Sequence, residues 1–210
     1  MSEKQSATTE LRPVSGVILA GGLARRFQGE DKGLINLLRR PLAAWVAERM
    51  VGHAAEVLIN ANRNLAKYAA IGHTVVPDYL PDHPGPLAGL LSAARTAQHE
   101  WLLSVPCDTP FLPLDLVMQL YDHAMAANVR LARAADETGT HFAIMLVHRE
   151  LIPDLAEFVR EGGRQVQAWQ ARHASETIFF GDDPYAFLNV NTPDDLRKAE
   201  RIALRYARRP

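Results

Sequence analysis

Four short apolar runs follow one another along this chain, and each stops at a glycine, an amide or a carboxylate. Val14-Ser15-Gly16-Val17-Ile18-Leu19-Ala20 ends in Gly21-Gly22. Glu56-Val57-Leu58-Ile59 ends at Asn60, and Thr74-Val75-Val76-Pro77 ends at Asp78. Trp101-Leu102-Leu103-Ser104-Val105 leads through Pro106-Cys107 to Asp108. Apolar runs of this length, bounded by turn residues, read as buried strands. Two later runs, Phe142 to Val147 and Thr177 to Phe180, read the same way.

The intervals carry helical spacing. Leu42, Val46 and Met50 share one face; so do Leu87, Leu90, Leu91 and Ala94, then Leu116, Leu120 and Ala124, and finally Leu196, Ala199, Ala203 and Tyr206. The last helix has a marked start, with Thr192 as N-cap, Pro193 in the first turn and Asp195 three residues after the cap. Strands alternating with helices predict an α/β fold with a mainly parallel sheet and helices on both faces. In such sheets ligands bind beyond the carboxyl ends of the strands. The polar groups that end the four runs are therefore expected along one edge.

Composition narrows the function classes. The chain has 210 residues, 48% hydrophobic and 22% charged, which suits one α/β domain with a sizeable core. No Pro/Gly-rich linker divides it, so residues 14–210 are expected to form a single domain behind a disordered polar tail, 1–13. A formal net charge of -1 argues against a broad nucleic-acid surface. Cys107 is the single cysteine, which excludes an internal disulfide and a cysteine-rich zinc site and makes a cytoplasmic location the default. No apolar run approaches the roughly 18 residues of a membrane span, and the first residues lack the apolar core of a signal peptide.

The loop Gly21-Gly22-Leu23-Ala24-Arg25-Arg26-Phe27-Gln28-Gly29-Glu30-Asp31-Lys32-Gly33 combines glycines, which let backbone N–H groups approach an anion, with three cations. That combination directly after a strand favours a phosphate-binding loop over a plain surface loop. It fits neither the P-loop pattern nor the dinucleotide fingerprint. Asp108, at a strand end facing this loop, is a natural magnesium ligand, since magnesium takes one or two carboxylates together with phosphates. Asp78 could accept both N–H donors of guanine or serve as a turn residue, and Asn60 has the same choice between base and turn. Gly85 and Gly89 open a helix where backbone could approach the nucleotide, although tight packing explains Gly89 better. Asn189 and Asn191, two apart on an extended segment, face one side and could orient an acceptor or complete the metal site, unless they only lead into the capped helix. Cys107 reads as a packed small side chain, the C-terminal basics as a solvated helix face, and His141 as a weak ligand candidate.

Taken together, LAGGLARRFQGEDKGL (Leu19 to Leu34), INANR (Ile59 to Arg63), PGPLAGL (Pro84 to Leu90), PCDTPFLP (Pro106 to Pro113) and NVNTPDDL (Asn189 to Leu196) resemble the molybdenum cofactor guanylyltransferases, in the family's order and over nearly the whole chain. The resemblance implies a Rossmann-like nucleotidyltransferase fold. It also implies transfer of GMP from GTP to molybdopterin, giving the guanine dinucleotide cofactor and pyrophosphate, with Mg2+ as cofactor. By position, Leu19, Ala20, Gly21, Gly22, Lys32, Asn60, Asp78 and Asp108 would bind GTP, and Asp108 would also hold the metal. Lys32, Asp108 and Arg26 would carry catalysis, and Asn189 and Asn191 would face the acceptor. Contact with other cofactor-assembly proteins is a further implication. Phe27, Gln28 and His141-Phe142-Ala143 depart from the family's usual residues.

Overall fold

The computed structural model describes residues 11–21, 23–24, 30–80 and 85–206. Among the described residues, seven strands form the main sheet: β1 (Arg12–Leu19), β2 (Ala54–Asn60), β3 (Thr74–Val76), β4 (Trp101–Pro106), β5 (Leu131–Asp136), β6 (Gly139–His148) and β7 (Glu176–Phe179). Their spatial order is β7-β5-β6-β4-β1-β2-β3. Every pairing within this sheet is parallel except the two made by β6. The sheet is mainly parallel, as the alternating pattern predicts. β6 runs the other way because it follows β5 through a tight hairpin, in which Asp136 Oδ1 accepts from Thr138 N at 2.8 Å.

Seven α-helices of the described residues cover the sheet: α1 (Leu42–Met50), α2 (Leu65–Ala69), α3 (Pro86–Ala94), α4 (Leu116–Ala126), α5 (Ile152–Arg160), α6 (Val166–Gln170) and α7 (Pro193–Tyr206). The strands sort their side chains between two faces. Val14, Ile18, Ile59, Leu103, Val105, Ile144 and Leu146 pack with α1 and α4. Val17, Leu58, Leu102, Met145 and Val147 pack with α3, α5 and Trp169 of α6. The inner strands are thus apolar on both sides, which is why they read as continuous runs. A third cluster, with Ile35, Leu42, Phe111, Val190 and Ala203, binds α7 to the start of α1 and to the segments that follow Lys32 and Asp108.

The apolar pattern does not mark β5. Its residues, Leu131-Ala132-Arg133-Ala134-Ala135-Asp136, favour helix by propensity, yet β6 and β7 hydrogen-bond it on both sides. Tertiary pairing overrides local preference here. The short helices α2 and α6, together with α5, likewise lie outside the segments that the spacing predicts as helical.

The strand pairings level one edge of the sheet. Leu19 aligns with Asn60 and with Pro106, and Asn60 aligns with Val76. The carboxyl ends of β1, β2, β3 and β4 therefore stand side by side.

Candidate active site

The first polar group beyond the level edge is Asn60, whose side chain is buried against α3. Its Nδ2 donates to Val76 O at 3.0 Å and to Asp78 Oδ1 at 2.7 Å. With the amide nitrogen so used, Oδ1 lies over Gly89, where an added Cβ would stand only 2.3 Å away. Gly89 is thus a packing glycine, and what it packs against is a site residue. Gly21, exposed at the end of β1, lies over the same amides, with room for a Cβ at 3.5 Å from Asn62 Nδ2.

Asp78 is held from two sides. Besides Asn60, Asn62 donates from Nδ2 to Asp78 Oδ2 at 2.8 Å and accepts from Asp78 N at 2.7 Å. Each carboxylate oxygen has about two lone-pair sites, so among the described residues one acceptor position remains on each oxygen, side by side.

A second cluster forms around Lys32. Its Nζ donates to Asp108 Oδ2 and to Asn191 Oδ1. Asp108 is buried, and the peptide chain returns to it from far along the sequence, since Val190 N donates to Asp108 O at 2.9 Å. Asn189 and Asn191 flank buried Val190 and are both exposed, so they share a side as the spacing predicts. The segment is fixed by the cap of α7: Asp195 N donates to Thr192 Oγ1 at 3.1 Å, and Asn191 N donates to Asp195 Oδ2 at 3.0 Å. The reciprocal bond falls on Asn191, one residue before the cap, so the cap also orients the amide that meets Lys32. Burial would raise the Asp195 carboxyl, but the hydrogen bonds from Thr192 and Asn191 outweigh it and hold it below its ordinary value.

Underneath lies Tyr68, fully buried, its hydroxyl 3.5 Å from Ala20 O. An added Cβ at Gly33 would come within 2.9 Å of that hydroxyl, so the glycine after Lys32 seats the loop on the tyrosine. Burial pushes the Tyr68 phenol well up, and it stays neutral. Cys107 is buried next to Asp108, and burial, with the neighbouring carboxylate second, raises its thiol far above the usual range. It is inert packing, as the sequence suggests.

Sequence reasoning passes over three residues. Asp31 is buried, Arg63 Nη2 pairs with its Oδ1, and Asn64 Nδ2 donates to its Oδ2 at 2.7 Å. Asp31 also pairs with Leu23 in a two-residue antiparallel ribbon, Leu23–Ala24 with Glu30–Asp31, which closes the base of the glycine loop. The signal is present in the run Asn60-Ala61-Asn62-Arg63-Asn64, too polar for an ordinary turn. Gly22 and Arg26 of the expected site lie outside the described residues, as do Phe27 and Gln28.

At the hairpin end of the sheet stands His141, on β6 opposite Ala134 of β5. Its Nε2 is 3.0 Å from Asp136 Oδ1, close enough for charge pairing though not aligned for a hydrogen bond. Its ring stacks on Phe187 at 4.4 Å between centroids.

Residues 16–177 match the MobA-like NTP transferase domain. Molybdenum cofactor guanylyltransferase of Shewanella pealeana is 42% identical over 191 residues, covering 90% of this chain and 96% of the relative. The protein of that name from an Acidovorax species is 41% identical over 205 residues, covering 91% and 97%. This chain belongs to that family. Among solved structures, molybdopterin-guanine dinucleotide biosynthesis protein A of Archaeoglobus fulgidus superposes with a TM-score of 0.75 at 20% identity, over 91% of this chain and 99% of that one. A CMP:2-keto-3-deoxy-manno-octonic acid synthetase complexed with CTP gives 0.74 at 16% identity, over 92% and 99%. These likenesses place the fold among the Rossmann-like nucleotidyltransferases. The described part of this family member has no helix long and apolar enough to cross a membrane.

Proposed function

We propose that this chain transfers GMP from GTP to the terminal phosphate of molybdopterin, releasing pyrophosphate, in the cytoplasm and alongside other cofactor-assembly proteins. The observation that carries the reading is the convergence of Lys32, Asp108 and Asn191, from three distant parts of the family-matching chain, at the edge where Asp78 presents two open acceptor positions.

Asp78 takes the two N–H donors of guanine, beside Asn60 and the bare backbone of Leu19, Ala20 and Gly21. The loop with Gly22 cradles the triphosphate through its amides. Lys32, with Arg25 and Arg26, neutralises the pyrophosphate that leaves. An acceptor phosphate oxygen attacks the α-phosphorus in line; a new P–O bond forms as the bond to the β-phosphate oxygen breaks. An anionic phosphate has no proton to lose, so no general base is needed, and alignment and charge neutralisation do the catalysis. Asn189, Asn191 and the His141–Phe187 wall face the acceptor.

The residues present fit Mg2+. Asp108 and Asn191 offer two oxygens close enough to share one cation, the Lys32 ammonium. Hard oxygen donors, few in number and completed by phosphates and water, are what magnesium takes. Bound there, it would supply positive charge to the phosphate oxygens.

The test is pyrophosphate release from GTP by the purified protein with MgCl2 and molybdopterin, with CTP as comparison. Asp108→Ala and Lys32→Ala are each expected to fold and to lose about a hundredfold or more in turnover. Preference for CTP overturns the reading of the base site, and full turnover in either variant overturns the assignment of the catalytic groups.

A further inference from the structure

The turn after β2 touches both halves of the site. Asn62 reaches Asp78, and Arg63 and Asn64 reach Asp31, one residue before Lys32. We propose that Asn62, Arg63 and Asn64 form a two-ended strap, in which Asn62 sets base selectivity by fixing the Asp78 carboxylate and the Arg63–Asn64 pair positions the phosphate loop through Asp31. This rests on the reading of Asp78 as the guanine acceptor.

Geometry separates the two ends. Asn62 closes a ring with Asp78, accepting from its N–H and donating to its carboxylate, at an exposed position. Little fold stability depends on such exposed bonds, because water replaces them when they are lost. What they fix is the plane of the carboxylate: a fork that must meet two parallel N–H groups works only when its rotation is set. Asn60 alone holds one oxygen and leaves the other free to swing.

At the other end, Asn64 has a left-handed backbone, φ 50°, and stands at the N-cap position of α2 without capping it. Asparagine normally satisfies a helix N-terminus from there. Here the amide goes to Asp31 instead. Arg63 faces the same carboxylate, whose side chain is 3% exposed while the arginine is 46% exposed. Asp31 is thereby anchored, the ribbon with Leu23 is closed at its base, and Lys32 leaves it toward Asp108 along a fixed path.

The two ends predict two different losses, readable by calorimetric titration of the full chain in MgCl2 with GTP, ITP and guanosine. ITP lacks the 2-amino group, so the ratio of GTP to ITP affinity reports the base end. The ratio of GTP to guanosine affinity reports the phosphate end. Asn62→Ala is expected to lower the GTP:ITP ratio by about tenfold, the size of one lost charge-assisted bond, and to leave the GTP:guanosine ratio unchanged. Arg63→Ala and Asn64→Ala are expected to do the reverse, with Arg63→Lys recovering part of the loss. If Arg63→Ala fails to fold because Asp31 is left buried and unpaired, Asn64→Ala and the double variant Asp31→Asn/Arg63→Ala carry the test, with melting curves as control. Equal falls in both ratios in every variant, or no fall in either, overturn the strap. Asp78→Ala separates this from the underlying reading: should it also leave the GTP:ITP ratio untouched, the base assignment itself fails. If it collapses the ratio and Asn62→Ala does not, only the strap fails.

Discussion

Gly89 is where the nucleotide half of the site is tightest. It lies within α3, where alanine would raise local helix propensity by about 1 kcal/mol. Yet its Cβ would stand 2.3 Å from Asn60 Oδ1 and 2.9 Å from Leu19 Cδ2. Gly89→Ala is therefore expected to keep the fold while displacing Asn60, and with it the Asp78 oxygen that Asn60 holds, so that GTP affinity falls about tenfold. Unchanged affinity by titration would mean that the Asn60 amide has no part in placing the base. At this scale the sequence is informative about identity and silent about grouping. Asn60, Asp78 and Asp108 stand out because they end apolar runs. That Lys32 meets both Asp108 and Asn191, separated from it by 76 and 159 positions, comes only from the chain's return past Asp108. Asp31 is hidden for a further reason: in a loop with three cations a carboxylate looks solvated, whereas it is buried on Arg63 and Asn64.

Elements divide by how their stability is encoded. β1, β2 and β4 lie in the middle of the sheet, with both faces covered, so apolar composition alone marks them. β5 is held by its neighbours; α5 lays Ile152, Leu155 and Val159, one apolar stripe, on the core beside Trp169 of α6, and a polar network ties the two helices together. In that network Asp154 accepts from Trp169 Nε1 at 2.9 Å and lies 2.8 Å from His173 Nε2. Burial would raise the Asp154 carboxyl, but bonds from Trp169 and His173 and the charge of Arg172 outweigh that and hold it below its ordinary value. A carboxyl depressed in the folded state gives stability that is full above its unfolded pKa and is lost as pH falls through the folded one. Acid melting of Asp154→Asn should accordingly show a shallower fall with decreasing pH, below the ordinary aspartate range, than the parent. Parallel acid-melting curves would exclude Asp154 as a contributor. Arg149 does comparable work just past α3, where its guanidinium donates to Ala94 O, on the helix's last residue, at 2.9 Å, and to Ala97 O at 2.6 Å and His99 O at 3.2 Å in the turn that follows. Charged donors on the last carbonyls of a helix satisfy groups that have no partner within it. Arg149→Ala should cost about 2–4 kcal/mol, from two or more lost charged bonds, and Arg149→Lys, with a point donor in place of a fork, should restore less than half. Denaturant midpoints equal to the parent's would exclude this role.

For the whole molecule, the arrangement predicts how a ligand must act on stability. Lys32 comes from the loop after β1, Asp78 follows β3, Asp108 follows β4, and Asn191 precedes α7, so any nucleotide spanning these groups ties distant parts of the chain together. Its binding energy should therefore appear in global unfolding and in no single element. At a hundredfold excess over Kd, one bound ligand adds about 2.7 kcal/mol, and for a chain of this size each kcal/mol moves Tm by about 2–4 °C. GTP with Mg2+ is thus expected to raise a single cooperative melting transition by about 5–10 °C. CTP at the same concentration should move it far less, because cytosine cannot give Asp78 the paired N–H donors. Two transitions, with only one of them shifted, would show that the nucleotide half unfolds apart from the β5–β6–β7 half. An equal shift with CTP would locate the binding energy in the phosphates alone and remove Asp78 from the account. The single shifted transition is favoured by the sheet itself: β4 pairs with β1 on one side and β6 on the other, so the β4–β6 ladder that joins the halves is lost when either melts.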